Sequence, residues 1–151
     1  MVKLFFSFIM FVCIVCLGCQ SDPAKNPINP NGDSELALLM RAMFEEGMTT
    51  KEEVLAGKPG KFDLAYQKIH TATPTEEGKN ASTEYILFAK AYEASVDRLR
   101  NADDAGRPQA YQTMVETCMN CHKQVCPGPM VRIKKMYLSD KELESLTSAE
   151  K

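Results

Sequence analysis

Tryptophan is absent from this chain, and aromatic residues of all kinds make up only 8% of it. Alternation of polar and apolar residues at strand spacing is missing too, and no internal repeat can be found. Neither a β-sandwich or barrel nor a repeat architecture is therefore indicated. The apolar content rests on Leu, Ala, Val and nine methionines, a mixture that favours helix over strand. Positive charge is not in excess: the formal net charge is -2 and the pI about 5.7, which excludes the basic footprint of a nucleic-acid-binding surface. Spare cysteine pairs are lacking as well. Of six cysteines, Cys13, Cys16 and Cys19 lie in or beside an N-terminal apolar run, Cys118 and Cys121 share one short motif, and Cys126 is left over. A disulfide scaffold is not indicated. No constellation for converting a substrate is visible, so the chain is not expected to be an enzyme. Its 151 residues, 44% hydrophobic and 25% charged, suit one globular domain once the termini are set aside.

What is present is Cys118-Met119-Asn120-Cys121-His122, which reads C-x-x-C-H, the attachment signature of c-type haem. Two thiols about one helical turn apart can each add across a haem vinyl group, and the next residue then offers its imidazole to the iron. The expected cofactor is one covalent haem c, with Cys118 and Cys121 as thioether donors and His122 as proximal ligand. Two other readings of the motif are weaker. A zinc site built from Cys118, Cys121, His122 and Cys126 would draw all its ligands from one segment, whereas structural zinc usually takes them from two. A redox-active dithiol calls for a strand-to-helix context that this helical pattern lacks.

The N-terminus reads as an address. Met1-Val2-Lys3 is followed by an almost wholly apolar run from Leu4 to Leu17, long enough for a signal peptide and short for a membrane span. The run ends in Cys16-Leu17-Gly18-Cys19, which resembles a bacterial lipoprotein processing site. Residues 1–18 would then be removed and Cys19 lipidated; an uncleaved anchor helix would leave the domain in the same compartment. Both place the domain in the periplasm or cell envelope, where c-type haem attachment occurs in bacteria. Residues 19–33 hold the anchor Cys19 and a stretch in which Pro23, Pro27 and Pro30 stand among Asn, Asp and Gly, an extended tether.

The expected fold is all-α: a four-helix bundle over residues 34–138, with the haem motif on its last long helix. Ser34 is placed to cap a first helix whose stripe is Leu36, Leu39, Met40, Met43, Phe44 and Met48. That helix should run through Leu55 and stop at Gly57. A short second helix is expected over Phe62–His70. A third carries Tyr85, Phe88, Ala89, Tyr92, Val96 and Leu99 on one face. Pro108 suits the first turn of a fourth, on which Tyr111, Met114, Val115, Cys118, His122 and Val125 share a face until Pro127-Gly128-Pro129 ends it. Residues 139–151 read as a polar tail or frayed helix.

Helices in this order, with a single C-x-x-C-H on the last long one, resemble the class II c-type cytochromes, cytochrome c prime and its low-spin relatives. The resemblance implies one-electron transfer by an exported, lipid-anchored cytochrome working with redox partner proteins near the membrane. A homodimer is compatible with it, and no nucleic acid is involved. In low-spin members a Met of the first helix is the sixth iron ligand. Met40-Arg41-Ala42-Met43 is similar to that pattern, with Met40 in the ligand position and Met43 on the same face as a second candidate. If neither reaches the iron, the resemblance implies instead a five-coordinate haem protein that binds NO or CO. A third reading makes the haem structural, in an interaction module. The chain departs from the family pattern in its shorter second helix and in Cys126-Pro127-Gly128-Pro129 after the motif.

Four further side chains have two readings each. His70 is either a sixth ligand or a solvated imidazole at a helix end. Cys126 is either a small buried side chain or the site of an intermolecular disulfide. Arg41, and one of Arg132, Lys134 and Lys135, are either partners of a haem propionate or part of a solvated basic face.

Overall fold

The computed structural model describes residues 32–149, with side chains through residue 146. The expected signal peptide, Cys19 and nearly all of the expected tether lie outside the described residues. Every regular element among the described residues is helical, so the all-α expectation holds. Helix α1 spans Glu35–Leu55, α2 Thr83–Arg100, α3 Arg107–Val125, α4 Met130–Ile133 and α5 Asp140–Ala149.

The first helix begins as its sequence dictates. Ser34 Oγ accepts a hydrogen bond from the Ala37 amide at 3.2 Å, satisfying one of the N-terminal donors that a helix cannot pair internally. Gly57, at φ 67, takes the left-handed conformation just beyond the end of α1. Ser82 caps α2 in the same way, through the Tyr85 amide at 3.2 Å. Helix α3 has no side-chain cap; Pro108 stands in its first turn, and Asp103 Oδ1 accepts from the Gly106 amide at 2.8 Å.

The segment expected to be a second α-helix is instead a 3-10 helix, Tyr66–His70. The cause is tertiary. Glu46 of α1 takes the Asp63 and Leu64 amides with one carboxylate oxygen, at 2.8 and 2.9 Å. These amides are thereby tied to α1. The residues that do turn obey a period of three: Tyr66, Ile69 and Ala72 are all buried, while Ala65 is exposed.

This connection fixes the topology. It starts beside the C-terminal ends of α1 and α2, where Lys61 N meets Glu53 Oε2 and the Arg100 guanidinium bonds Phe62 O. It finishes beside their N-terminal ends, where Leu36 N donates to Thr73 O at 2.9 Å and Tyr85 Oη to Ile69 O at 2.7 Å. Helices α1 and α2 are therefore parallel. The short turn at 101–106 makes α3 antiparallel to both.

The core lies between these three helices. Val96, Tyr111, Met114 and Val115 are essentially sealed within it. Removing an aliphatic side chain of this size from water contributes about 1.5–3 kcal/mol each. Beyond α3, the chain turns back along the bundle. Tyr111 Oη, fully buried, shares its proton between Gly47 O at 3.1 Å and Met136 O at 2.9 Å. A Cβ on Gly47 would come within 2.4 Å of the Met136 methyl, so glycine is what lets this return segment lie close against α1.

Residues 139–149, read from sequence as a tail or frayed helix, contain α5. Ser139 and Glu142 cap it reciprocally: Ser139 N donates to Glu142 Oε2 at 2.6 Å, and Glu142 N to Ser139 Oγ at 3.4 Å. Leu143 and Leu146 pack against the core.

Candidate functional site

The C-x-x-C-H residues lie in the last two turns of α3. Cys118, Cys121 and His122 are half-buried, and Met119 between them is buried. The face carrying them continues the stripe of Tyr111 and Val115, so the thiols point toward the helical interior. Burial pushes the Cys118 thiol up to about 12 and the Cys121 thiol up to about 11, each with a smaller contribution from a neighbouring cysteine. Both are held as neutral thiols, the form that carries the proton needed for addition across a vinyl group.

His122 is fixed by the backbone that follows it. Its Nδ1 lies 2.8 Å from the carbonyl oxygen of Cys126. A carbonyl can only accept, so Nδ1 carries the proton and the lone pair is left on Nε2. Burial lowers the imidazole pKa, with the carbonyl bond opposing, so the ring is favoured neutral. The carbonyl is presented because Cys126 precedes Pro127: the extended conformation preferred before proline, φ -153 and ψ 79 here, ends the helix at that residue. Nε2 makes no hydrogen bond among the described residues. A neutral imidazole with an oriented, unused Nε2 next to two protonated thiols fits a haem.

It fits the other two readings less well. No group of three or more His, Cys, Asp or Glu side chains converges as a metal site among the described residues, so the four zinc donors are not assembled. A reactive dithiol needs a depressed thiol pKa, and both of these are raised. Cys118, Cys121 and Cys126 are all free thiols.

The register of α1 against α3 locates the methionines. Tyr111 and Gly47 meet at their hydrogen bond. Seven residues, two turns or about 10 Å, carry each antiparallel helix on along nearly the same face. That step leads from Tyr111 to Cys118 on α3 and from Gly47 back to Met40 on α1. Met40 thus stands level with Cys118, half-buried against the core. Met43, one turn nearer Gly47, is level with Val115 and is itself a core residue at 8% exposure.

Two of the remaining candidates, His70 and Arg41, are engaged elsewhere. His70 Nε2 pairs with Glu93 Oε2 of α2 at 3.1 Å, which occupies the nitrogen a bis-His site would need. Arg41 pairs with Asp33 at 2.5 Å and donates to Gly32 O at 3.0 Å. Arg132, Lys134 and Lys135 are exposed. The carbonyl of Cys126 was not visible to sequence reasoning, which considers side chains; the Cys-Pro step was its only signal.

No helix among the described residues is long and apolar enough to cross a membrane. Comparison with family models, curated proteins and solved structures gave no match for this chain.

Proposed function

We propose that this protein is an exported c-type cytochrome, tethered to a bacterial membrane through a lipid on Cys19, that passes single electrons between redox partner proteins. Bound haem would supply the one-electron ferric–ferrous couple. Cys118 and Cys121 would hold it through thioethers, His122 Nε2 would ligate the iron, and Met40, with Met43 as second candidate, would take the sixth position. A thioether ligand favours ferrous iron and raises the potential. The packed helices would exclude water and lower the dielectric around the iron.

The observation that carries this reading is the 2.8 Å contact between His122 Nδ1 and Cys126 O. Ligating histidines characteristically donate their second ring N–H to a fixed acceptor, which sets the tautomer and the ring orientation. A histidine merely filling space has no need of an unused, oriented Nε2 beside two inward-pointing thiols. The level placement of Met40 with Cys118 supports the choice of sixth ligand.

The test is an absorption spectrum of protein expressed with the haem-attachment machinery, ferric and ferrous, with and without carbon monoxide. Low-spin spectra with a far-red Met–iron band, indifferent to carbon monoxide, would support the electron carrier. High-spin spectra that shift with carbon monoxide would replace it with a five-coordinate gas-binding protein. No covalent haem would overturn both.

A further inference from the structure

From Thr117 to Ser139 the chain holds no aspartate or glutamate, although 20 acidic residues occur among its 151. Four basic residues fall in that run: Lys123, Arg132, Lys134 and Lys135. It carries +4, and the remainder of the chain carries -6, the two making up the formal -2. The last three of these cations stand on one short element. Helix α4 runs on into a 3-10 turn, Lys134–Met136, and the segment divides by a period of three. Ile133 and Met136 are buried, and Met130 packs half-buried against the core. The outer arc is left to Val131, Arg132, Lys134 and Lys135, all exposed.

This arc has no partner within the molecule. Turning about 100° per residue sets Val131 between Lys134 on one side and Lys135 and Arg132 on the other. At 71% exposure Val131 is the most exposed large apolar side chain among the described residues. None of the three cations makes a side-chain hydrogen bond or ion pair there. The backbone beneath them is held in place: Met136 O accepts from Tyr111 Oη at 2.9 Å, and Tyr137 O from Lys51 Nζ at 2.7 Å.

Its place along the bundle points to the partner. By the register of Gly47 with Tyr111, Glu35 at the start of α1 stands level with Lys123 near the end of α3. The basic arc starts from that end and reaches the level of Gly47 at Met136. The chain enters α1 through Gly32 at the same end, where Arg41 holds the Gly32 carbonyl at 3.0 Å. The thirteen chain steps from Cys19 to Gly32 span at most about 45 Å. A lipid on Cys19 therefore keeps this half of the bundle within reach of a membrane surface, at a high effective concentration.

We infer that Val131, Arg132, Lys134 and Lys135 form a second membrane contact, in which the three cations bind anionic lipid headgroups and Val131 enters the interface between them. An acidic protein surface fits less well, because lysine is depleted in protein interfaces and the arc carries no aromatic anchor. Each cation near an anionic surface is worth roughly fivefold in partitioning, so the three together bring roughly 100-fold. The inference rests on the lipid-anchor part of the reading above and is independent of the haem.

The experiment uses the full chain, lipidated by a bacterial host and reconstituted on vesicles of phosphatidylcholine, alone or mixed with phosphatidylglycerol. A water-soluble acylating reagent is applied, and labelled lysines are read by peptide mass. Lys134 and Lys135 are expected to react several-fold more slowly on the anionic vesicles, while Lys58, beyond the other end of α1, reacts equally on both. Raised salt should abolish the protection. A variant carrying V131S and R132Q, both exposed positions, is expected to lose most of it. Equal rates on the two vesicles, or full protection in the variant, would overturn the inference. So would protection by soluble polyglutamate without protection by anionic vesicles, which would assign the arc to an acidic protein. Intact mass reports the lipid on Cys19 beforehand, and its absence would overturn the anchor and this inference together. The same mass reports covalent haem separately.

Discussion

His122 Nδ1 and the carbonyl oxygen of Cys126 are joined by a hydrogen bond one helical turn long, 2.8 Å between the atoms. The acceptor is the backbone carbonyl of the residue that caps α3 at its C-terminal end, so the orientation of the imidazole is set by where the helix stops. Pro127 sets that stop.

Replacing Pro127 with Gly loosens the carbonyl without touching the C-x-x-C-H residues. Donation from Nδ1 makes the imidazole a stronger ligand for ferric iron, so weakening it should raise the reduction potential. A net hydrogen bond of about 0.5–1.5 kcal/mol corresponds to roughly 20–65 mV for one electron, which bounds the rise. A redox titration of the two proteins reads this directly; an unchanged or lowered potential would count against the bond's role.

Met40 and Met43 should separate cleanly on substitution. Met40→Ala is expected to open the sixth position, converting a low-spin spectrum to one that responds to carbon monoxide, with a modest change in stability. Met43→Ala removes a core side chain and should cost about 2–5 kcal/mol in denaturant unfolding while the low-spin spectrum persists. The reverse pattern would move the ligand to Met43.

Tyr111→Phe deletes the hydroxyl that ties α1 to the return segment and leaves two buried carbonyls short of a donor. A loss of about 1–3 kcal/mol is expected in the unfolding free energy of the haem-free protein. A midpoint equal to that of the wild type would show that water replaces the hydroxyl at no cost.

The pH response should run through Glu142. Bonds from the Ser139 amide and hydroxyl, and then from Lys51 at 3.2 Å, hold its carboxyl below the usual carboxylate value. A depressed folded pKa means that the stabilisation is present above the unfolded value near 4.5 and is lost as pH falls through the folded one. The melting temperature of the wild type should thus approach that of Glu142→Gln as the solution is acidified through and below the unfolded value. Parallel curves at all pH values would dismiss the effect.

The long helices could be read from the sequence because periodicity and caps agreed. Ser34 and Ser82 stand where their stripes require, and Gly57 and Pro108 punctuate correctly. Helix α5 was equally legible in Ser139-Asp140-Lys141-Glu142, a capping box, but its polarity draws attention away from Leu143 and Leu146. The 3-10 segment was not legible. Its apolar positions suit either period, and the decision was made by Glu46, seventeen residues or more away from the amides it binds. For the site, the side chains of the motif announced themselves, whereas the Cys126 carbonyl has no letter of its own.

The parallel arrangement of α1 and α2 also bears on the order in which the molecule assembles. Helices α2 and α3 form a hairpin across a short turn, a local contact that closes quickly. Helix α1 meets α3 through Tyr111, 64 positions from Gly47, and meets the return segment through Lys51, 86 positions from Tyr137. Such distant contacts form late and slowly. The hairpin is therefore expected to form with the Cys118, Cys121 and His122 face still uncovered, before α1 packs against it. Core truncations on the hairpin should accordingly slow folding, whereas those on α1 should mainly hasten unfolding. Such an order would give the thiols a helical template and open access at once, the two conditions that the proposed covalent attachment of haem requires.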